Sequence, residues 1–157
     1  MNNFLRFLQV LALGAWVGSI VYFAAVVTQG AFRVLPTMDE AGRLVGFTLA
    51  GLHFMGGIAA LIYLAASVGL GRSLLALVKP AAIGVILMLL MTLGSQRIVI
   101  ARMDVLRAQM GSVQAAAATE PLRAEFDRLH GISVNLEGAV LLIGIASLFL
   151  TVRSKPF

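Results

Sequence analysis

Apolar residues run along this chain in four long blocks, at about 10–32, 44–70, 76–101 and 129–152, with few polar positions inside them. A helix needs about 20 apolar residues to cross a hydrocarbon core, so each block is long enough to span a membrane. Backbone groups in lipid have no water to bond, which leaves helices and closed barrels as the only spanning forms. The runs lack the period-2 alternation of barrel strands, so the pattern predicts helices. The expected fold is all-α: a polytopic membrane protein, one four-helix up-down transmembrane bundle over residues 1–157, with an extramembrane connection at 102–128.

Local signals set the expected ends of these helices. In "RVLPTMDEAGR" Pro36 stops the first helix, and Thr37-x-x-Glu40 is a capping box for the second. "GRSLLALVKP" offers a glycine break and a proline suited to a first helical turn. The 102–128 connection carries the Ala-rich patch "AQMGSVQAAAAT", after which Thr119, Glu120 and Pro121 read as a fresh start. The first block runs 23 residues to Phe32 without a convincing cleavage site, too long for a signal-peptide core, so it reads as a retained span.

Composition agrees with a lipid solvent: 60% of the 157 residues are apolar and 12% charged, and the mean hydropathy is +0.97. The net charge of +5 is accounted for by Lys and Arg at the ends of the spans, and no basic surface remains for nucleic acid. No cysteine is present, which excludes disulfides and thiolate chemistry. Arg6, Arg72, Lys79, Arg153 and Lys155 fall on the face of the termini. Arg33, Arg43, Arg97, Arg102, Arg107, Arg123 and Arg128 fall on the other. A strict count favours the second face as cytoplasmic. Treating Arg33 and Arg97 as bundle residues, and discounting the long connection, sets both termini in the cytoplasm of an inner-membrane protein.

Ionisable residues inside spans are costly and are candidate site residues by default. Gln29, Arg33, His53, Gln96, Arg97, Arg102, His130, Asn135 and Glu137 all fall in the half of the bundle nearest the 102–128 connection. Helical spacing puts His130, Ser133 or Val134, Glu137 and Leu141 on one face, and Gly46, Ala50, His53, Gly57 and Ala60 on another. A third stripe joins Gly18, Tyr22, Ala25, Gln29 and Arg33. Arg97 is the expected partner of Glu137. His53 and His130 stand 77 residues apart, half the chain, in similar surroundings, so a faint repeat would set them at one depth. Gly14 with Gly18, and Gly42 with Gly46, have the spacing of close helix contacts or of a homo-oligomer interface.

"LGAWVGSIVYFAAVVTQGAFRVLP", "AGRLVGFTLAGLHFMGG", "ARMDVLR" and "FDRLHGISVNLEGAVLL" together resemble the transmembrane-protein-205-like family, described in bacteria as domain of unknown function number 4149. The resemblance covers nearly the whole chain. It implies a four-span membrane protein, with no settled biochemical function among bacterial members. Glu137 falls within the last of these segments, but the resemblance carries over no role for it.

Three functions follow from the polar cluster. The first is a non-catalytic scaffold or partner subunit in which the cluster fixes helix register. The second is translocation of a small solute or ion through a polar vestibule. The third is handling of b-type haem, with His53 and His130 as cofactor-binding axial ligands. No nucleophile–base–orienter set and no metal-ligand motif is present, so an enzyme is not expected.

Overall fold

The computed structural model describes residues 2–153; Lys155, counted above, lies outside the described residues. Four helices follow one another, α1 Asn2–Val34, α2 Met38–Gly71, α3 Pro80–Met110 and α4 Pro121–Arg153, each long and apolar enough to cross a membrane. No strand occurs among the described residues. The molecule is an all-α polytopic membrane protein built as an up-down bundle.

The helix ends lie where local chemistry puts them. Leu35 is extended ahead of Pro36, and the Thr37 hydroxyl accepts the Glu40 N–H at 3.2 Å to cap α2. Pro80 opens α3, where its missing N–H costs nothing. One break differs from the glycine expected: α2 ends on Arg72, at φ 48° in the left-handed region. Gly71 serves proximity instead, since a Cβ there would stand 2.7 Å from the Ala76 Cβ. Much of 102–128 is helix, because α3 continues through "ARMDVLRAQM" to Gly111 at φ 71°, and only 111–120 is loop.

Consecutive helices pack on one another and α4 returns to α1, so α2 and α4 stand on the diagonal. Lipid gives helices no hydrophobic reason to associate, so contact depends on close approach at small residues. Gly56 leaves no room for a Cβ against the Trp16 indole, and Gly84 none against the Ser147 side chain. A Cβ on Gly144 would lie 2.7 Å from Val17 Cγ2 and 2.9 Å from Met88 Cε. Leu13, Ala60, Val85, Met88 and Val140 fill the centre, while Phe47, Phe54, Leu61, Leu90 and Leu142 face outward as a lipid surface would.

The two ends of the bundle differ. Near the termini all four helices are in contact. Toward the 111–120 loop they separate: α1 beyond Tyr22 stays near α2 and leaves α4, while α3 beyond Ile100 stays near α4 and leaves α2. Both departures coincide with a π-helical turn, at Phe23–Val27 in α1 and Ser95–Ile100 in α3. Such a turn inserts one residue and rotates every face after it.

Candidate functional site

His53 lies at the base of this split. It is buried on α2, and its Nδ1 stands 2.7 Å from Gln96 Oε1 on α3. Its Nε2 bonds Oε1 of Glu137 on α4, so one imidazole ties three helices and spans the diagonal. Nε2 donates to the Glu137 carboxylate, and the Gln96 carboxamide can serve Nδ1 as acceptor or, turned over, as donor, so the triad is satisfied with the imidazole protonated or neutral. The side chains are 4% and 15% exposed, which shields the pair from solvent.

Above the pair is a cleft of about 590 Å³. Glu137 and Ser133 reach its deep end; Ile20, Phe23, Val45, Leu49, Met103 and Leu141 are among its apolar walls. Asp104, Arg107, Arg123, Asp127 and His130 stand around the mouth. Arg107 bonds Asp104 at 3.0 Å and lies 5.4 Å from the centre of the Phe126 ring. It also passes within about 4 Å of where Gly42 and Gly46 would carry a Cβ, closing the gap between α2 and α3. Arg123 bonds Asp127 and the Val113 carbonyl. The 111–120 loop is fastened across the mouth by Asp39, which accepts from the Ser112 hydroxyl at 2.5 Å and the Val113 N–H at 2.9 Å. Asp39 precedes the apolar run at 44–70, and the Ser112 hydroxyl holds its carboxyl below the usual carboxylate range.

Of the residues expected to cluster, the structure brings together His53, Gln96 and Glu137, with His130 at the rim of the same cleft. It does not bring in the others. Glu137 is partnered by His53 and not Arg97: Gln96 stands one turn beyond buried Thr92 and points inward, which leaves Arg97 exposed. Gln29 and Arg33 are exposed, together with Gly18, Tyr22 and Ala25 of the same stripe. The buried face of α1 is instead Ala12, Leu13, Trp16, Val17 and Ile20. Arg102 is exposed and paired with Glu125 at 2.9 Å, and Asn135 lies on the outer face of α4. His53 and His130 are not at one depth. Glu137, level with His53, is seven residues beyond His130, about 10 Å along the helix. With both His53 nitrogens engaged and His130 exposed, the two do not converge on one iron, and no metal-binding group of three His, Asp or Glu occurs among the described residues.

A second polar set was not anticipated. At the terminal end Gln9 donates to Ser67 at 2.7 Å, and Tyr63 meets Thr151 at 2.7 Å, beside a cavity of about 410 Å³ that Lys79 and Arg153 also line. Single hydroxyls in apolar runs carry no spacing signal, so only their burial reveals them.

No curated protein and no solved structure matches the chain. A family model matches residues 11–112, which hold His53 and Gln96 and stop before α4. On that match, over well more than half its length, the chain belongs to the family described as domain of unknown function DUF4149.

Proposed function

We propose that this is a non-catalytic binding protein of the inner membrane, whose split half receives a small ligand against the His53–Glu137 pair. The observation carrying this reading is the Glu137 carboxyl group, held by His53 of α2, in a cleft whose other charged side chains stand around the mouth. A register-fixing contact alone would be served by sealed packing, as around Leu13, Val85 and Met88. Ionisable groups at this depth are retained where they serve a pathway or a ligand.

Translocation is the second reading, favoured by the polar set around Tyr63 and Thr151 at the opposite end. Between the two lie Trp16, Ala60, Val85, Met88 and Val140, each at most 3% exposed, and a conduit would have to part them. A homo-oligomer is also compatible: Gly14 and Gly18 have open space at their Cβ positions, whereas Gly42 and Gly46 are covered by Arg107.

The chain has no cysteine, so single cysteines report the cleft directly. Val45→Cys and Ser133→Cys, in the cleft, should react with a charged, impermeant thiol reagent; Phe54→Cys and Leu142→Cys, facing lipid, should not. Equal protection at all four positions rules the cleft out as a binding site. Cytoplasmic termini would put the mouth on the outer face. Exposed Arg33 and Arg97 argue the other way, and the side from which the reagent acts decides.

A further inference from the structure

The lining of the cleft narrows the ligand class, given the binding reading above. Its charged lining is four acids, Asp39, Asp104, Asp127 and Glu137, against two arginines, Arg107 and Arg123. Both arginines are already bonded, Arg107 to Asp104 and Arg123 to Asp127. An anionic ligand therefore meets no uncommitted guanidinium. Glu137 differs, since His53 engages one of its oxygens while the residue also faces the cleft.

The walls say how such a ligand arrives. Phe23, Phe32, Val134 and Leu141 line the cleft where α1 and α4 have separated. Phe32 is 50% and Val134 55% exposed, on surfaces that face lipid, so the opening is sideways into the bilayer as well as toward the loop. A molecule entering there must be lipid-soluble. Rings at Phe23, Phe32 and Phe126 suit a cation, which aromatic faces attract.

We propose that the cleft takes a lipophilic cation whose charge meets the Glu137 carboxylate, and that each cation bound releases one proton from His53. The proton count follows from charge balance. In this proposal the free site holds one imidazolium and one carboxylate, an arrangement that the oxygens standing at both His53 nitrogens accommodate, and is neutral. With a cation added, two positive charges share one carboxylate in a shielded site, and loss of the His53 proton to water restores neutrality. The Gln96 carboxamide then turns to present its NH2 group to the bare Nδ1, and Nε2–H stays on Glu137. No covalent bond is made or broken apart from that N–H.

Affinity should then rise with pH. The titratable groups facing the cleft are Asp39 on α2, Asp104 and Arg107 on α3, and Arg123, Asp127 and His130 on α4; the α1 wall supplies none. His130 is the one histidine among these, so His130→Ala is the control.

The test uses the full chain in nanodiscs of zwitterionic lipid, with tetraphenylphosphonium and its isosteric anion tetraphenylborate as probes, each corrected against empty discs. The phosphonium should bind, its Kd falling up to tenfold per pH unit between pH 6 and 8. Tetraphenylborate should show no protein-dependent binding. Glu137→Gln should weaken the phosphonium at least tenfold, His53→Asn should retain binding but lose the pH dependence, and His130→Ala should retain both. Gly138→Leu, which fills the cleft from a position with open space at Cβ, should also weaken binding and leaves the pair intact. Preference for tetraphenylborate, binding indifferent to Glu137→Gln, or no binding of either ion overturns the cation assignment. Thiol access to the cleft would still stand or fall on its own.

Discussion

Replacing His53 by Leu removes the side chain that Glu137 bonds across the diagonal of the bundle. Opposite unit charges about 4 Å apart attract by about 4 kcal/mol at an effective dielectric constant of about 20. Desolvation offsets most of that, and polar contacts between membrane helices average about 0.6 kcal/mol. Removing one partner measures something else, the cost of a buried group left alone, which is about 3–5 kcal/mol for an ion. His53→Leu should therefore cost about 3 kcal/mol, and Glu137→Leu about 2 kcal/mol, since His53 can shed its proton and keep Gln96. The double variant removes the obligation entirely and should fall within about 1 kcal/mol of the parent, a coupling of about 4 kcal/mol. Reversible unfolding in bicelles, followed by far-ultraviolet circular dichroism or steric trapping, measures all four proteins. A double variant that loses the sum of the two single costs would refute the claim that these residues act as a pair.

Three further outcomes follow from the packing and the loop. Gly144→Leu forces side-chain atoms into Val17 and Met88 and should cost at least about 1–3 kcal/mol, while Gly14→Ala, with open space, should be neutral or slightly stabilising; thermal melts in detergent separate them. Asp39→Ala unfastens the 111–120 loop and should raise amide exchange at Ser112, Val113 and Gln114 without lowering the melting temperature of the bundle. The folded carboxyl of Asp39 titrates below its unfolded value, so its contribution is complete above about pH 4 and is lost as pH falls through the lower folded value; loop protection, taken relative to the intrinsic exchange rate at each pH, should be flat from pH 5 to 8 and fall only in acid. Arg72→Gly relieves a left-handed non-glycine residue and should stabilise by about 1 kcal/mol, read as a raised melting temperature.

Hydropathy made the four spans legible, and turn chemistry at Thr37, Pro80 and Pro121 made three helix starts legible to the residue. His53 and Glu137 stood out because charge inside a span is rare. Their pairing did not: an acid inside a span calls first for a permanent cation, and Arg97 lies in the same half, but helical spacing from buried Thr92 carries Ser95 and Gln96 inward and leaves Arg97 exposed. The inner face of α1 was unreadable for another reason. A helix apolar all round carries no phase, so the exposed stripe through Gln29 and Arg33 looked as good as the true one through Leu13 and Trp16.

These differences bear on why the molecule has one tight end and one open end. In the terminal half Gly56, Gly84 and Gly144 let large side chains close the gaps, and the geometry there is fixed by repulsion. In the other half the π turns carry α1 away from α4 and α3 away from α2, and no glycine contact pulls them back. At the rim Arg107 and the Asp39 bonds limit the separation, and at the base a three-membered strut, Gln96–His53–Glu137, does so through an imidazole that can gain or lose a proton. A strut of that kind responds to whatever shares Glu137 with it, whereas a glycine-packed core cannot. The open half is thus the adjustable half, and a ligand held there would be felt by α2, α3 and α4 through a single imidazole.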